Sequence, residues 1–289
     1  MTDGYRRTEL PGGLVVLTET MPGIRSASLG GWVRAGSVTE KPEERGISHL
    51  LEHMVFKGTA RRSPKEIALA LERRGGDLDA YTTREHTSYQ ARVLDEDLPM
   101  AMDVLADIVL NPRLDQQDLD LEREVVLEEI AGVEDTPDDL VFELHGEAMW
   151  AGHPYGHSIL GTRETVSGFD ADALRDIHAR AYRRPNMVIG AVGNLQHEAF
   201  VELAAGLFEQ APNGDSNAAI REPVAAAGAS LGGLSLLHAE WEYPGTFGGL
   251  FAQSGSFFQL GSDPQEQGYS HFRRIHRFVR DVLHVGGCC

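Results

Sequence analysis

An α+β fold is predicted for the first three quarters of this chain: an antiparallel sheet with packed helices. Short apolar strands alternate with amphipathic helices over residues 1–212, and helix pairs sit between strands that read as antiparallel neighbours. The composition then changes. Residues 1–212 carry 21 basic and 37 acidic side chains, a net of −16 within the whole-chain −18. Residues 213–289 are close to neutral at −2, yet hold 12 of the 32 glycines and 9 of the 21 aromatics. The step falls at Ala211-Pro-Asn-Gly-Asp-Ser-Asn217, a run of turn formers. The sequence therefore divides into a domain at 1–212, a linker at 213–220 and a second segment at 221–289.

Each element has a local reason. Gly13–Thr18 and Ser26–Val33 are apolar runs of strand length. Gly46–Lys57 reads as a helix. Pro64–Arg74 is a second one, with Ser63 as N-cap, Pro64 at the first helical position and Gly75-Gly76 as its stop. Leu78–Val93 reads as a hairpin of alternating polarity. Leu98–Leu110, Gln116–Val133 and Asp172–Tyr182 have helical periodicity, and Met187–Val192 is a buried-strand run.

Composition excludes several function classes. Such an acidic chain does not suit nucleic acid or an anionic membrane, because phosphate binding needs a basic surface. No run of 18 apolar residues is present, so no transmembrane helix is expected. The N-terminus lacks the apolar stretch of a secretory signal. The only cysteines, Cys288 and Cys289, are adjacent and cannot staple a fold. A cytoplasmic location is expected.

The sharpest chemical signal is Gly46-Ile-Ser-His-Leu-Leu-Glu-His-Met-Val-Phe-Lys57. His49 and His53 are four apart, so a helix places them on one face, one turn apart. Two imidazoles so placed can reach one metal ion. Glu52, three after His49, shares that face and can act on a metal-bound water. The pair alone leaves two readings open, a zinc site or a helix with two incidental histidines, and a third ligand decides between them. In Leu119–Ile130 a helical wheel gives an apolar arc of Leu119, Val125, Val126, Ile130 and Val133, with Glu122 and Glu129 inside or beside it. Two inward carboxylates need a partner, because an unpaired buried charge is costly. The competing reading is a solvated acidic helix. We take Glu129 as the third ligand and Glu122 as its support.

Further motifs complete a resemblance. They are Asp79-Ala-Tyr-Thr-Thr83, His153-Pro-Tyr-Gly-His157, Gly161-Thr162 and Pro185–Gly193. With the helix motifs above, residues 5–212 resemble the pitrilysin/insulinase-type zinc metallopeptidases, especially the mitochondrial-processing-peptidase-like branch. The resemblance implies Zn2+ on His49, His53 and Glu129, Glu52 as general base and Glu122 as the supporting glutamate. It implies a peptide substrate that adds as a strand near Asp79, Ala80, Tyr81 and Thr82. It also implies that a second domain, a companion subunit or another copy completes the chamber. A non-catalytic partner subunit is the alternative, and an intact His-Glu-His set argues against it. His86, His145, His153, His157 and His178 are expected to be turn or core residues.

In the second segment, Gly228-Ala-Ser230-Leu-Gly232 has the Gly-x-Ser-x-Gly pattern of a nucleophile elbow. Pro223–Ala227 reads as the strand before it and Phe247–Ser256 as the next. Residues from about 221 resemble the enterochelin-esterase-like α/β-hydrolases. Only 59 residues follow Ser230, and the resemblance puts both remaining triad members beyond Cys289. The segment is thus expected to be an incomplete α/β-hydrolase fragment, joined by fusion or truncation, with Ser230 a vestigial nucleophile; the alternative is a natural two-activity protein with a serine esterase acting through Ser230.

Overall fold

A computed structural model describes residues 5–215, 226–229 and 250–253 of the chain. The chain divides into two compact units, Met1–Asn217 and Ala218–Cys289.

The first unit is built on one six-stranded sheet. In chain order its strands are β1 (Tyr5–Glu9), β2 (Val15–Thr20), β3 (Ser26–Val33), β4 (Asp77–Thr82), β5 (Thr87–Leu94) and β6 (Met187–Gly193). In space they run β1-β2-β6-β3-β5-β4. All neighbours are antiparallel except β2 and β6, where Val15 lies opposite Val188 in a parallel register. The expected antiparallel sheet is therefore mixed. The reason is topological: β6 returns after the helices to lie between β2 and β3, and it cannot be antiparallel to both.

Eight helices accompany the sheet: α1 (Ile47–Val55), α2 (Pro64–Glu72), α3 (Leu98–Leu110), α4 (Gln116–Asp135), α5 (Pro137–Met149), α6 (Arg163–Gly168), α7 (Ala171–Ala181) and α8 (His197–Leu207). Helix α3 is nearly all apolar, and it packs on β3 and β5. Helix α2 starts as its sequence demands, with Ser63 and Glu66 forming a reciprocal capping box. The core joins β2, β3, β5 and β6 to α1, α3 and α7, with Tyr89, Tyr182 and Phe200 among its largest buried side chains.

Two features set α1 in place. Gly46 precedes it with φ +91°, and a Cβ there would meet the Leu160 carbonyl oxygen at 2.4 Å. Only glycine accepts both the left-handed turn and that approach. The Glu40 carboxylate then accepts from the backbone N–H of Gly46 and of Ser48, each at 2.8 Å. These are helix-start donors with no partner inside the helix.

In the second unit, β7 (Ala226–Ala229) and β8 (Leu250–Gln253) pair in parallel, with Ala226 opposite Leu250. β7 overlaps the strand expected at 223–227 only at Ala226 and Ala227, and β8 lies within the one expected at 247–256. Ser230 lies outside the described residues.

Candidate metal centre

Helix α1 buries Ile47, Leu50, Leu51, Met54 and Val55 in the core. That anchoring turns His49 and His53 toward α4, which packs alongside, and Glu52 toward β4. On α4 the buried stripe is Leu119, Glu122, Val126 and Ile130. Val125, expected in the apolar arc, is 45% exposed. The stripe is thus narrower than the wheel suggests. Glu122 and Glu129 share a face with it, as their spacing of seven requires.

The structure brings His49, His53 and Glu129 together. One donor atom from each lies within 4.8 Å of the others. Glu129 Oε2 stands 3.7 Å from His49 Nε2, and Glu129 Oε1 stands 3.8 Å from His53 Nε2. Those separations are too long for hydrogen bonds. They match two ligand atoms on one tetrahedral ion, since metal–ligand bonds of about 2.1 Å set neighbouring ligands roughly 3.4 Å apart. Burial, and then the neighbouring His53, push the His49 imidazole down to about 4, so it is neutral at neutral pH with a lone pair to offer. The donor set fits Zn2+: two imidazoles and one carboxylate, with room for a fourth ligand.

Glu122, expected from the sequence to support the ligands, lies beside His53. His53 Nδ1–H donates to Glu122 Oε1 at 2.9 Å, which fixes the tautomer that leaves Nε2 free to ligate. Sequence reasoning missed Lys57, whose Nζ donates to the other Glu122 oxygen at 2.5 Å. Its signal was available, four residues after His53. His49 Nδ1, by contrast, is buried with no hydrogen-bond partner among the described residues.

Glu52 is 8% exposed. Desolvation raises its pKa; a hydrogen bond from Thr82 and the charge of His53 oppose this, while Asp79 and Glu129 add to it. Thr82 Oγ1 donates to Glu52 Oε2 at 2.6 Å. Of the four β4 residues expected to meet a substrate, Asp79 and Tyr81 lie on the exposed side of the strand and Ala80 and Thr82 on the half-buried side. β4 ends the sheet order, so one of its edges carries no strand partner among the described residues.

Three other histidines among the described residues are engaged elsewhere. His153 Nδ1 accepts from the Tyr155 N–H, His157 Nε2 lies 2.8 Å from Arg45 Nη2, and His178 Nε2–H donates to the Val109 carbonyl.

Comparison with known proteins agrees with this geometry. The model of the insulinase family (peptidase family M16) matches residues 15–163 and contains all of the helix motifs. A second model, the peptidase M16 inactive domain, matches residues 168–232. The chain belongs to this peptidase family. The second match runs through residues 213–232, the stretch read from sequence as a linker and the start of a hydrolase fragment. The likeness to a hydrolase fragment remains an expectation from the sequence alone.

An uncharacterized zinc protease of Streptomyces coelicolor is 41% identical over 220 residues, covering 76% of this chain and 47% of the relative. One from Mycobacterium leprae is 46% identical over 205 residues, covering 71% and 46%. The chain thus spans about half the length of these relatives. The peptidase M16 inactive domain from Pseudomonas fluorescens superposes with a TM-score of 0.71 at 22% identity, covering 78% of this chain and 56% of that one. The ferredoxin protease FusC, solved as a mutant in complex with Arabidopsis ferredoxin, gives 0.67 at 22% identity, covering 78% and 26%. These two likenesses establish the fold.

Proposed function

We propose that the chain is the metal-bearing half of a zinc-dependent endopeptidase, with Glu52 as general base. The convergence of His49, His53 and Glu129 around one point, with buried Glu52 beside them, carries this reading. When bound, zinc supplies a Lewis acid that polarises a scissile carbonyl and lowers the pKa of water toward neutrality. The chain's own groups do the rest. Glu52 accepts a proton at its carboxylate and later returns it to the leaving amine. Its raised pKa brings it closer to neutral pH, where such exchange is most effective. Glu122 and Lys57 hold His53 in its ligating tautomer.

The open edge of β4 supports a substrate that adds as a strand, with backbone hydrogen bonds giving affinity and the Asp79 and Tyr81 side chains facing it. A peptide or protein segment in extended form is the substrate class this fits. A companion subunit, a further domain or a second copy would close the other side, since the chain covers half of its relatives. Among the described residues no helix is long and apolar enough to cross a membrane, and we assign the cytoplasm on the absence of a disulfide framework. Residues 221–289 add no second activity to this proposal.

Metal analysis and a peptide-cleavage assay test the reading together. Glu52→Gln is expected to keep one zinc and to lose cleavage by about 10²- to 10⁴-fold. Glu129→Gln is expected to lose zinc. A Glu129→Gln variant with unchanged zinc would remove the third ligand, and cleavage by Glu52→Gln at the parent rate would remove the base.

A further inference from the structure

The general base does not sit alone in its pocket wall. Thr82 Oγ1 has one proton, and Glu52 Oε2 takes it at 2.6 Å. Behind it, Thr87 Oγ1 stands 3.3 Å from Thr82 Oγ1 and donates to the Ala35 carbonyl at 2.8 Å. Thr87 is among the groups that act on the Tyr182 phenol. The Tyr182 phenol oxygen lies 2.6 Å from that of Tyr89. Thr87 and Tyr89 are 0% exposed and Tyr182 is 1% exposed. The peptidase reading uses none of these three groups. Two fully buried phenols in hydrogen-bonding contact are costly unless each hydroxyl is satisfied. Apolar side chains would fill the same space without that cost.

We propose that Thr82 is a positioning residue rather than a substrate contact, the outer end of a buried hydroxyl cluster (Thr82, Thr87, Tyr182 and Tyr89) that holds the Glu52 carboxylate in its working orientation. The inference rests on Glu52 being the base. Three observations carry it. The Thr82 side chain lies on the half-buried side of β4, away from the face that carries Asp79 and Tyr81. Thr82 and Thr87 face each other across the β4–β5 hairpin in direct register, so strand pairing fixes their separation. Thr87 is in turn paired with Val33 of β3 and bonded to Ala35, two residues beyond that strand. The position of the Glu52 oxygen is thereby tied to three strands of the sheet rather than to α1 alone. A glutamate side chain has several soft torsions, and a small misplacement of a reacting group is expensive in rate.

The experiment compares Thr82→Val, which keeps shape and removes the hydroxyl, with Thr82→Ser, which keeps the hydroxyl, and with Tyr182→Phe, all in the full chain. Zinc content, the visible spectrum of the cobalt-substituted protein, kcat and KM are measured on each. Thr82→Val is expected to retain the metal and KM, to lower kcat by roughly 10- to 100-fold, and to shift the cobalt spectrum in the same sense as Glu52→Gln. Thr82→Ser is expected to restore kcat and spectrum to within a few-fold of the parent, and Tyr182→Phe to fall between the two. Parent-like kcat and spectrum in Thr82→Val overturn the inference. So does an equal loss in Thr82→Ser, which would assign the effect to packing of the methyl group. A parent chain that takes up neither zinc nor cobalt overturns the peptidase reading itself, and the inference with it. Normal cleavage by Glu52→Gln does the same through the base.

Discussion

Two clusters of charged side chains lie a few residues apart in this fold and have opposite bond patterns. In the first, Arg62 reaches both Asp103 and Asp107, Thr59 Oγ1 donates to Asp107 Oδ2 at 2.8 Å, and Arg61 pairs with Asp103 at 2.7 Å. Cations and anions there are spent on one another. They pin the loop after α1 to α3. In the second, His49, His53 and Glu129 stand about an ångström farther apart, at 3.7 and 3.8 Å, distances that no hydrogen bond closes. The first cluster is closed by hydrogen bonds and ion pairs, although Asp107 Oδ1 stays buried without a hydrogen-bond partner among the described residues. In the second, no hydrogen bond joins Glu129 to either histidine, the spacing that three ligands around one ion would have. The distances, rather than proximity alone, separate the two.

The largest break in this comparison comes from the scaffold side. Asp107 has 0% side-chain exposure, so Asp107→Ala strands Arg62 with one of its carboxylates gone. Removing one partner of a buried pair costs about 3–5 kcal/mol. A urea melt is expected to show that loss, while the protein that remains folded still binds one zinc. Zinc lost in proportion to nothing but Asp107 would merge the two clusters and end the distinction.

Lys57 sharpens the boundary, because it belongs to the scaffold chemically and serves the site. Its ammonium holds Glu122, and Glu122 holds His53. Lys57→Met is expected to weaken zinc by roughly 10- to 100-fold, the usual cost of losing a group behind a metal ligand. Competition with a chelator of known affinity reads this directly. An unchanged affinity would mean that Glu122 orients His53 without help.

Much of this was legible in the sequence, and the parts that were not share a physical cause. The four-residue spacing of His49 and His53 and the seven-residue spacing of Glu122 and Glu129 are properties of one helix, so a wheel recovers them. Pairing α1 with α4 followed from two inward carboxylates that needed a partner, and the family resemblance implied the same pairing. Helices α3 and α2 were readable because the first is apolar along its length and the second carries its own cap. Helix α5 was not, since it buries no residue and leaves Val141, Phe142 and Leu144 exposed; its periodicity has no core to point at. Strand β1 is a polar edge strand. Helix α8 begins at His197, which is held by Thr8 and Thr18 from strands far away in the chain. The parallel β2–β6 pair and the Thr82–Glu52 contact are likewise tertiary. No local pattern encodes them.

The smallest expected effect separates two histidines rather than two clusters. His178 is buried against Tyr182, and its Nε2–H is spent on the Val109 carbonyl. Burial lowers its pKa, opposed by that hydrogen bond. The unfolded chain therefore binds the proton more readily than the folded one. The stability this histidine contributes is full above its ordinary value of about 6.5 and is lost as pH falls below that toward the folded value. In metal-free protein, where His49 titrates in the same sense, His178→Gln is expected to flatten the fall in stability between pH 6.5 and pH 5 relative to the parent, because glutamine can still donate to Val109 but cannot take up a proton there. Urea midpoints at successive pH values measure the difference between the two curves. Parallel curves would show that His178 takes up its proton without cost, and would leave His49, the histidine with an unspent nitrogen facing Glu129, as the principal source of the acid sensitivity that burial of imidazole predicts.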